Sequence, residues 1–514
     1  MQYNDCSYRN LYDLVENNAE KNPDKICFFF RDKQYTYKDV QTTIKRTAGV
    51  MQAKGVKKGD RIGILLNNSP EFIFSYLAAV SMGAVSIPTN IFLTPMEIAT
   101  NLNDCETSWL LTGVEFANME KALLELAPQI KGLFTFGDMP FNSVNIYKTE
   151  PETVSYIPQE DELAVILYTS GTTGKPKGAM LTHKNLMANA LGFCKVLHVT
   201  EADRSLLILP MFHSFTFLTS VLGPLLGNTS IIILETVMDI NKEGFYEMLF
   251  RLKPTLLMGV PAVYGALARA KVTDTVLKNF PFRACVSGGA PLPHEIYNRF
   301  RDTYKVPIVE GYGLSEASPV VSVNPLDKQK PGTIGVALPG VKVRIVDETH
   351  KDLPINTAGE LAVQGDNVMS GYWNQPEETA KVLKDGWLLT GDVATIDDEG
   401  YMTIVDRIKD LILVKGINVY PREIEELLYK YEGVLQAAVV GVHDKDGNEM
   451  PVAYIKPAPD AELSVNNIKN YLKDYLAFFK IPRRFIITDN IPMNASGKVL
   501  KKELRKIAEE EFGR

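Results

Sequence analysis

Strand-length apolar runs alternating with helical patterns are the feature that most narrows the folds open to this chain. RIGILL (Arg61–Leu66) reads as a strand, Glu71–Met82 as a helix and AVSIP (Ala84–Pro88) as a strand again. LAVILYTS (Leu163–Ser170), RSLLILP (Arg204–Pro210), SIIIL (Ser230–Leu234) and RACVSG (Arg283–Gly288) are further apolar runs of similar length. A strand apolar along its whole length needs burial on both faces, which helices packed over both sides of a largely parallel sheet supply. The expected fold class is therefore α/β. From Gly332 to Asp406 the texture changes to alternating segments such as VKVRIVDE and GELAVQG between Gly and Pro turns, which predicts an antiparallel β subdomain. After Asp406 the chain offers a helix from Pro421 (PREIEELLYKY), a strand AAVVGV, a helix near Val465–Leu476 and a charged helix from Lys501. Pro421 suits a helix start, where its missing N–H would lack a partner anyway. Two units follow: residues 1–406, a large N-terminal domain of two α/β sheets plus a β subdomain, and residues 407–514, a small mobile α+β lid. The hinge falls near 406–410.

The 514 residues carry 55 Lys+Arg against 62 Asp+Glu, a net charge of −7. That balance argues against nucleic acid as a partner, since such binding needs a basic face. Five scattered cysteines, never in CxxC, argue against a disulfide framework or a cysteine zinc site and point to a reducing, cytoplasmic setting. The N-terminus lacks a basic segment followed by an apolar one, so no secretory signal is expected. Ser205–Leu234 contains no Asp, Glu, Lys or Arg and is long enough to cross a bilayer. Pro210, Gly223, Pro224, Gly227 and Asn228 nevertheless break it, and lipid would leave the freed backbone groups unsatisfied. It is read as strand, loop, short helix and strand inside a water-soluble protein. Contact with a membrane surface and a homodimer both stay open.

YTSGTTGKPKG (Tyr168–Gly178) follows a strand directly and packs three glycines, four small hydroxyls and two lysines into eleven residues. Glycines let backbone N–H groups approach an anion, hydroxyls donate to it and lysines neutralise it. The loop lacks the GxxxxGK[ST] pattern, and Gly311-Tyr-Gly313 lacks the third glycine of a dinucleotide fingerprint.

YTSGTTGKPKG resembles the signature of the adenylate-forming superfamily of acyl-CoA synthetases, NRPS adenylation domains and firefly luciferase. The later motifs match in order: GYGLSE (Gly311–Glu316), DGWLLTGD (Asp385–Asp392), VDRIKDLILVKGINVYPREIE (Val405–Glu425) and NASGK (Asn494–Lys498). The resemblance implies an ATP-dependent acid–CoA ligase that forms acyl-AMP and pyrophosphate, then acyl-CoA and AMP. It places Thr169, Ser170, Gly171, Thr172, Thr173 and Lys177 at the phosphates. Glu316 would hold Mg²⁺, and Ser315, where the family has Thr, would reach the α-phosphate. Glu310, Gly311 and Tyr312 would line the nucleotide, Tyr312 lying against adenine with Gly288, Gly289 and Ala290 opposite. Asp392 would take the ribose hydroxyls with Arg407 assisting. Lys498 would be the catalytic lysine of adenylation and Lys409 the hinge. Lys415 and Gly416 would face the site in the second lid orientation, with the pantetheine arm passing along Gly416. His213 would stand beside the acyl carboxylate, gating or positioning it. His183 reads as a helix N-terminal residue.

The expected acyl pocket comprises Phe215, Thr219, Val260, Ser287, Gly288, Gly311, Gly313 and Val320, with the glycines at 288, 311 and 313 leaving room for a chain or ring. It offers no cation for a second carboxylate and no acid for an amino group, and burying an unpaired charge is costly. Medium- or long-chain fatty acids are the first choice, and aryl or alicyclic acids the alternative. The aryl ligases of the family usually carry lysine where this chain has Leu413. CoA is expected as acceptor over a carrier protein, since the chain ends soon after NASGK. A stand-alone adenylation enzyme remains open. A silent nucleotide-binding regulator would be expected to lack Lys498, Glu316 or Asp392, all of which are present.

Overall fold

The structure is a computed structural model that describes residues 2–3, 6–140, 142–169, 176–242, 244–270, 272–414, 417–443, 449–459, 461–493 and 498–512. Among these residues, two large sheets dominate the N-terminal part. One has eight strands, in the order Gly371–Tyr372, Lys177–Thr182, Leu163–Thr169, Val85–Pro88, Arg61–Leu65, Trp109–Thr112, Gly132–Thr135 and Val144–Asn145. The other has nine and runs from Val336–Ala337 through Val320–Val323, Ile308–Gly313, Ala284–Ser287, Leu256–Gly259, Arg204–Leu207, Ser230–Ile233 and Ile26–Phe30 to Lys33–Thr36. Their central strands pair in parallel, as the unbroken apolar runs require. The class is α/β.

Local sequence explains the elements that frame the sheets. Helix Pro70–Ser81 begins where the Ser69 hydroxyl accepts the Phe72 N–H at 3.3 Å, with Pro70 in the first turn. Residues Phe72 to Val80 of this helix are all buried, so it is held between layers rather than laid on a surface. Ile231, Ile232 and Ile233 are buried on successive faces of their strand, each burial stabilising by about 1.5–3 kcal/mol. One face of the nine-stranded sheet packs into the main core and the other into a second core around Leu206, Leu257, Cys285, Tyr264 and Phe300. Cys27, Cys105, Cys194 and Cys285 are buried free thiols.

The uncharged Ser205–Leu234 stretch departs from its expected form. It carries the strands Arg204–Leu207 and Ser230–Ile233, but between them helical turns run without a break over Ser214–Phe217, Leu218–Leu222 and Gly223–Leu226. The middle turn has π spacing, next to Pro224, whose missing N–H disturbs the regular ladder. The helix is longer than anticipated because the π turn accommodates the missing N–H of Pro224 without ending it. Among the described residues, no helix is long and apolar enough to cross a membrane.

An antiparallel sheet of Val341–Val346, Gly359–Gly365, Trp387–Ile396, Leu383–Lys384 and Met402–Arg407 fills the segment expected to form a β subdomain. After the 3₁₀ turn Ile408–Asp410 come the hairpin Ile412–Val414/Ile417–Val419 and a sheet of Val434–His443, Glu449–Pro457 and Arg484–Ile487. Helices Pro421–Lys430, Val465–Lys473 and Lys501–Phe512 pack on it, and its two apolar clusters draw only on residues from Ile412 onward. Asp406 ties the two parts together: its buried carboxylate accepts the Arg422 N–H at 3.0 Å, near the start of helix Pro421–Lys430. The Arg422 guanidinium donates to Ile404 O at 2.7 Å.

Candidate active site

Strands Leu163–Thr169 and Lys177–Thr182 form an antiparallel hairpin whose last pair is Thr169 with Lys177. Thr169 and Lys177 therefore flank the loop expected to cradle phosphates. Ser170, Gly171, Thr172 and Thr173 lie outside the described residues. The Thr169 hydroxyl donates to Lys177 O at 3.4 Å. Lys177 is buried and pairs its ammonium with the Glu378 carboxylate, 5.2 Å above the centroid of the Tyr372 ring. The Tyr372 hydroxyl in turn donates to Glu316 Oε1 at 2.8 Å. Tyr372 and Glu378 were not anticipated: they are two hundred residues from the glycine loop, and nothing in their local pattern announces them.

Glu316 and Ser315 sit in the 3₁₀ turn Ser315–Ala317, immediately after the strand Ile308–Gly313. The Ser315 and Ser214 hydroxyls are 3.1 Å apart, which fastens this turn to the helix beginning beside His213. His213 caps that helix, its Nδ1 accepting the Phe215 N–H at 3.3 Å. Desolvation first, and the nearby Lys498 ammonium second, lower its pKa to about 4. It is thus a neutral imidazole at pH 7, and with Nδ1 accepting, the ring proton belongs on Nε2.

The register of one strand pair builds the next element of the site. Asp392 on Trp387–Ile396 stands directly opposite Arg407 on Met402–Arg407, and Arg407 Nε donates to Asp392 Oδ1 at 2.7 Å. The Tyr312 hydroxyl donates to Asp392 Oδ2 at 2.5 Å. Asp392 is 3% exposed, so a buried carboxylate is paired on both oxygens while keeping lone pairs for another donor. Lys498 reaches this cluster from the C-terminal part. It has ample exposed surface, yet the protein crowding its ammonium lowers its pKa to about 8, through desolvation first and then repulsion from Arg407, with Asp392 opposing. Lys409 is lowered by the same two causes. Lys498, Arg407 and Lys409 concentrate positive charge around Asp392, a setting for a polyanion. Lys415 and Gly416 lie outside the described residues.

Glu310 is 8% exposed, and its Oε1 accepts the Gly332 N–H at 3.2 Å. Burial pushes its pKa up to about 7, against the pull of Arg422. Gly289 adopts a left-handed φ of +79° beside Val260. His183 opens helix His183–Val196 as expected and is buried, its Nδ1 accepting the Leu11 N–H at 3.1 Å.

The residues assigned to the acyl pocket meet only in part. Phe215 bridges the two cores, and a Cβ on Gly288 would touch its ring at 3.1 Å. Val260 belongs to the second core. Thr219 donates to Phe215 O at 2.7 Å, inside its helix. Ser287 is buried beside Gly288, and its hydroxyl has no partner among the described residues. Val320 belongs to the main core, its backbone clamped by Asn189 at 2.6 and 2.9 Å. The expectation that Gly311 and Gly313 open room for substrate is corrected. A Cβ on Gly313 would lie 2.0 Å from Pro319 O and one on Gly311 3.2 Å from Ser322 O, so the neighbouring backbone already fills both spaces.

A family model described as AMP-binding enzyme matches residues 15–373, and one described as AMP-binding enzyme C-terminal domain matches 423–498. A long-chain-fatty-acid–CoA ligase of Bacillus subtilis (strain 168) is 34% identical, with 96% of this chain and 94% of the relative covered. A feruloyl-CoA synthase of Amycolatopsis sp is 35% identical over 92% of this chain and 93% of the relative. The crystal structure of ATP-bound MatB from Rhodopseudomonas palustris superposes with a TM-score of 0.89 at 30% identity, covering 98% of this chain and all of that one.

Proposed function

Since the chain belongs to the AMP-binding family of adenylate-forming acyl-CoA synthetases, we propose that this AMP-forming acid–CoA ligase acts on medium- or long-chain fatty acids. The observation that carries the chemistry is the meeting of Lys498 with Arg407, Asp392 and His213, a cation set beside a paired carboxylate and a neutral imidazole. The first step brings a carboxylate against the α-phosphate of ATP, two anions whose repulsion and developing charge must be offset. Lys498 bridges the two, while the Nε2–H of His213 donates to the acyl carboxylate. Asp392 takes the ribose hydroxyls, oriented by Arg407 and Tyr312, and Thr169 and Lys177 hold phosphate oxygens as pyrophosphate leaves. The CoA thiol then attacks the acyl-AMP carbonyl and AMP departs. Torsions at Lys409 swing residues 407–514 between the steps, bringing Lys415 and Gly416 inward.

Among the described residues no cluster of three or more His, Cys, Asp or Glu could hold a metal. Mg²⁺ takes one or two carboxylates and fills its shell with phosphates and water. Glu316, kept in place by Tyr372, would hold it, and the ion would neutralise charge on the leaving pyrophosphate.

Phe215, Val260 and Gly288 support an apolar acid. A second reading, an aryl acid, gains from the buried Ser287 hydroxyl, unpartnered among the described residues, which would pair with a polar ring substituent. A panel of octanoate, dodecanoate, palmitate, oleate, ferulate and 4-coumarate, assayed for CoA-dependent AMP release, tests the proposal. A higher kcat/KM for the aliphatic acids supports it, and preference for either phenolic acid overturns it in favour of the second reading.

A further inference from the structure

Lys177 is the middle member of a charged relay that the adenylation chemistry above does not use in full. Its side chain is 10% exposed and paired with Glu378, whose carboxylate also pairs with Lys381 one helical turn further along Pro376–Val382. On the other side, the Tyr372 ring lies under the Lys177 ammonium and sends its hydroxyl to Glu316. The order in space is Lys381, Glu378, Lys177, Tyr372, Glu316. The same helix is fixed to the strand Gly371–Tyr372 by the Tyr372 N–H, which donates to Thr379 Oγ1 at 2.8 Å. An ammonium at the foot of the phosphate hairpin, already neutralised by a carboxylate, cannot give its full charge to a phosphate. A carboxylate left beside an incoming triphosphate would also repel it.

We propose that Glu378 is a built-in stand-in for phosphate, holding Lys177 in the nucleotide-free enzyme, yielding it when the ATP triphosphate arrives and reclaiming it as pyrophosphate leaves. Lys381 makes the exchange cheap. When Lys177 turns to phosphate, Glu378 keeps a cation and is not stranded as an unpaired charge. Hydrogen bonds to Lys177 and then Lys381 hold the Glu378 pKa down to about 2, and once Lys177 turns away Lys381 still favours the carboxylate. The exchange therefore needs no proton. Glu378 is a positioning residue that acts on substrate only through Lys177, and it sets ATP affinity in competition with the nucleotide. The idea rests on the reading that Lys177 binds ATP phosphate, and the experiment separates the two.

Dissociation constants for Mg-ATP, measured without acid or CoA, are compared for the intact chain and for E378Q, K381M and K177M. Glu378→Gln frees Lys177 and is expected to tighten ATP about two- to fivefold, the range of a partly exposed ion pair. Lys381→Met leaves Glu378 with Lys177 alone and is expected to weaken ATP by a similar factor. A merely structural salt bridge would not yield opposite signs from the two variants. The KM for acid should stay constant in both. Equal-signed or absent shifts in E378Q and K381M, alongside weakened binding in K177M, overturn the stand-in while leaving Lys177 as a phosphate ligand. Unchanged ATP affinity in K177M overturns both.

Discussion

Replacing Glu310 with glutamine removes one ionisation from the buried part of the strand Ile308–Gly313 while keeping an oxygen to accept the Gly332 N–H. Glu310 is buried on the strand Ile308–Gly313, and desolvation raises its pKa from 4.5 to about 7, so the folded protein prefers its neutral form. In the unfolded chain the same carboxyl ionises near pH 4.5. Between that pH and about 7 the unfolded state has released a proton that the folded state retains, so stability falls as pH rises through this window. At ~1.4 kcal/mol per pH unit, the loss reaches on the order of 3 kcal/mol at pH 8. Glu310→Gln should therefore match the parent near pH 4.5–5 and exceed its stability increasingly from pH 5 to 8. Denaturant unfolding of both proteins at pH 5, 6, 7 and 8, without nucleotide, reads the difference directly, because other titrating groups cancel between them. A gap between the two proteins that stays constant with pH would refute the burial argument. So would a variant less stable than the parent at pH 8.

Lys498→Ala should abolish acyl-AMP formation, measured by pyrophosphate release, yet largely spare thioester formation from supplied acyl-AMP; equal loss of both would refute its role. Replacing Gly416 with tryptophan should do the reverse, and intact CoA transfer would count against the pantetheine path. Gly288→Val would push a branched side chain into the Phe215 ring, only 3.1 Å from the added Cβ. The ratio of kcat/KM for long over short acids should drop about tenfold or more.

Much of this arrangement was legible in residue order because its causes are local. The strands at Arg61, Ala284 and Ser230 follow from unbroken apolar runs, and the helix at Pro421 from its N-terminal proline. Asp392 and Arg407 are each assigned to the ribose by a separate motif, whereas the cross-strand register that pairs them becomes visible only in the folded sheet. Contacts made purely through space were not legible. Glu378 reaches Lys177, Tyr372 reaches Glu316 and Ser214 meets Ser315, and no periodicity links the members of any pair. Gly311 and Gly313 misled for a related reason. A glycine reads the same in sequence whether its missing Cβ leaves space for a ligand or for a neighbouring strand, and here Pro319 and Ser322 occupy that space. The continuous helix across Gly223 and Pro224 was missed because both residues normally end helices, whereas here they begin a new segment after the π turn.

On the proposed function the acid passes through an acyl-adenylate, assembled by the cluster around Lys498 and Asp392. Incubating the enzyme with ATP, CoA and a fatty acid whose carboxylate carries heavy oxygen tests this directly. Attack by the carboxylate on the α-phosphate, followed by thiol attack on the acyl carbon, must leave one labelled oxygen in AMP. Mass spectrometry of the products should find the label in the AMP phosphate and none in pyrophosphate. Unlabelled AMP, or label appearing in inorganic phosphate released beside ADP, would contradict that route.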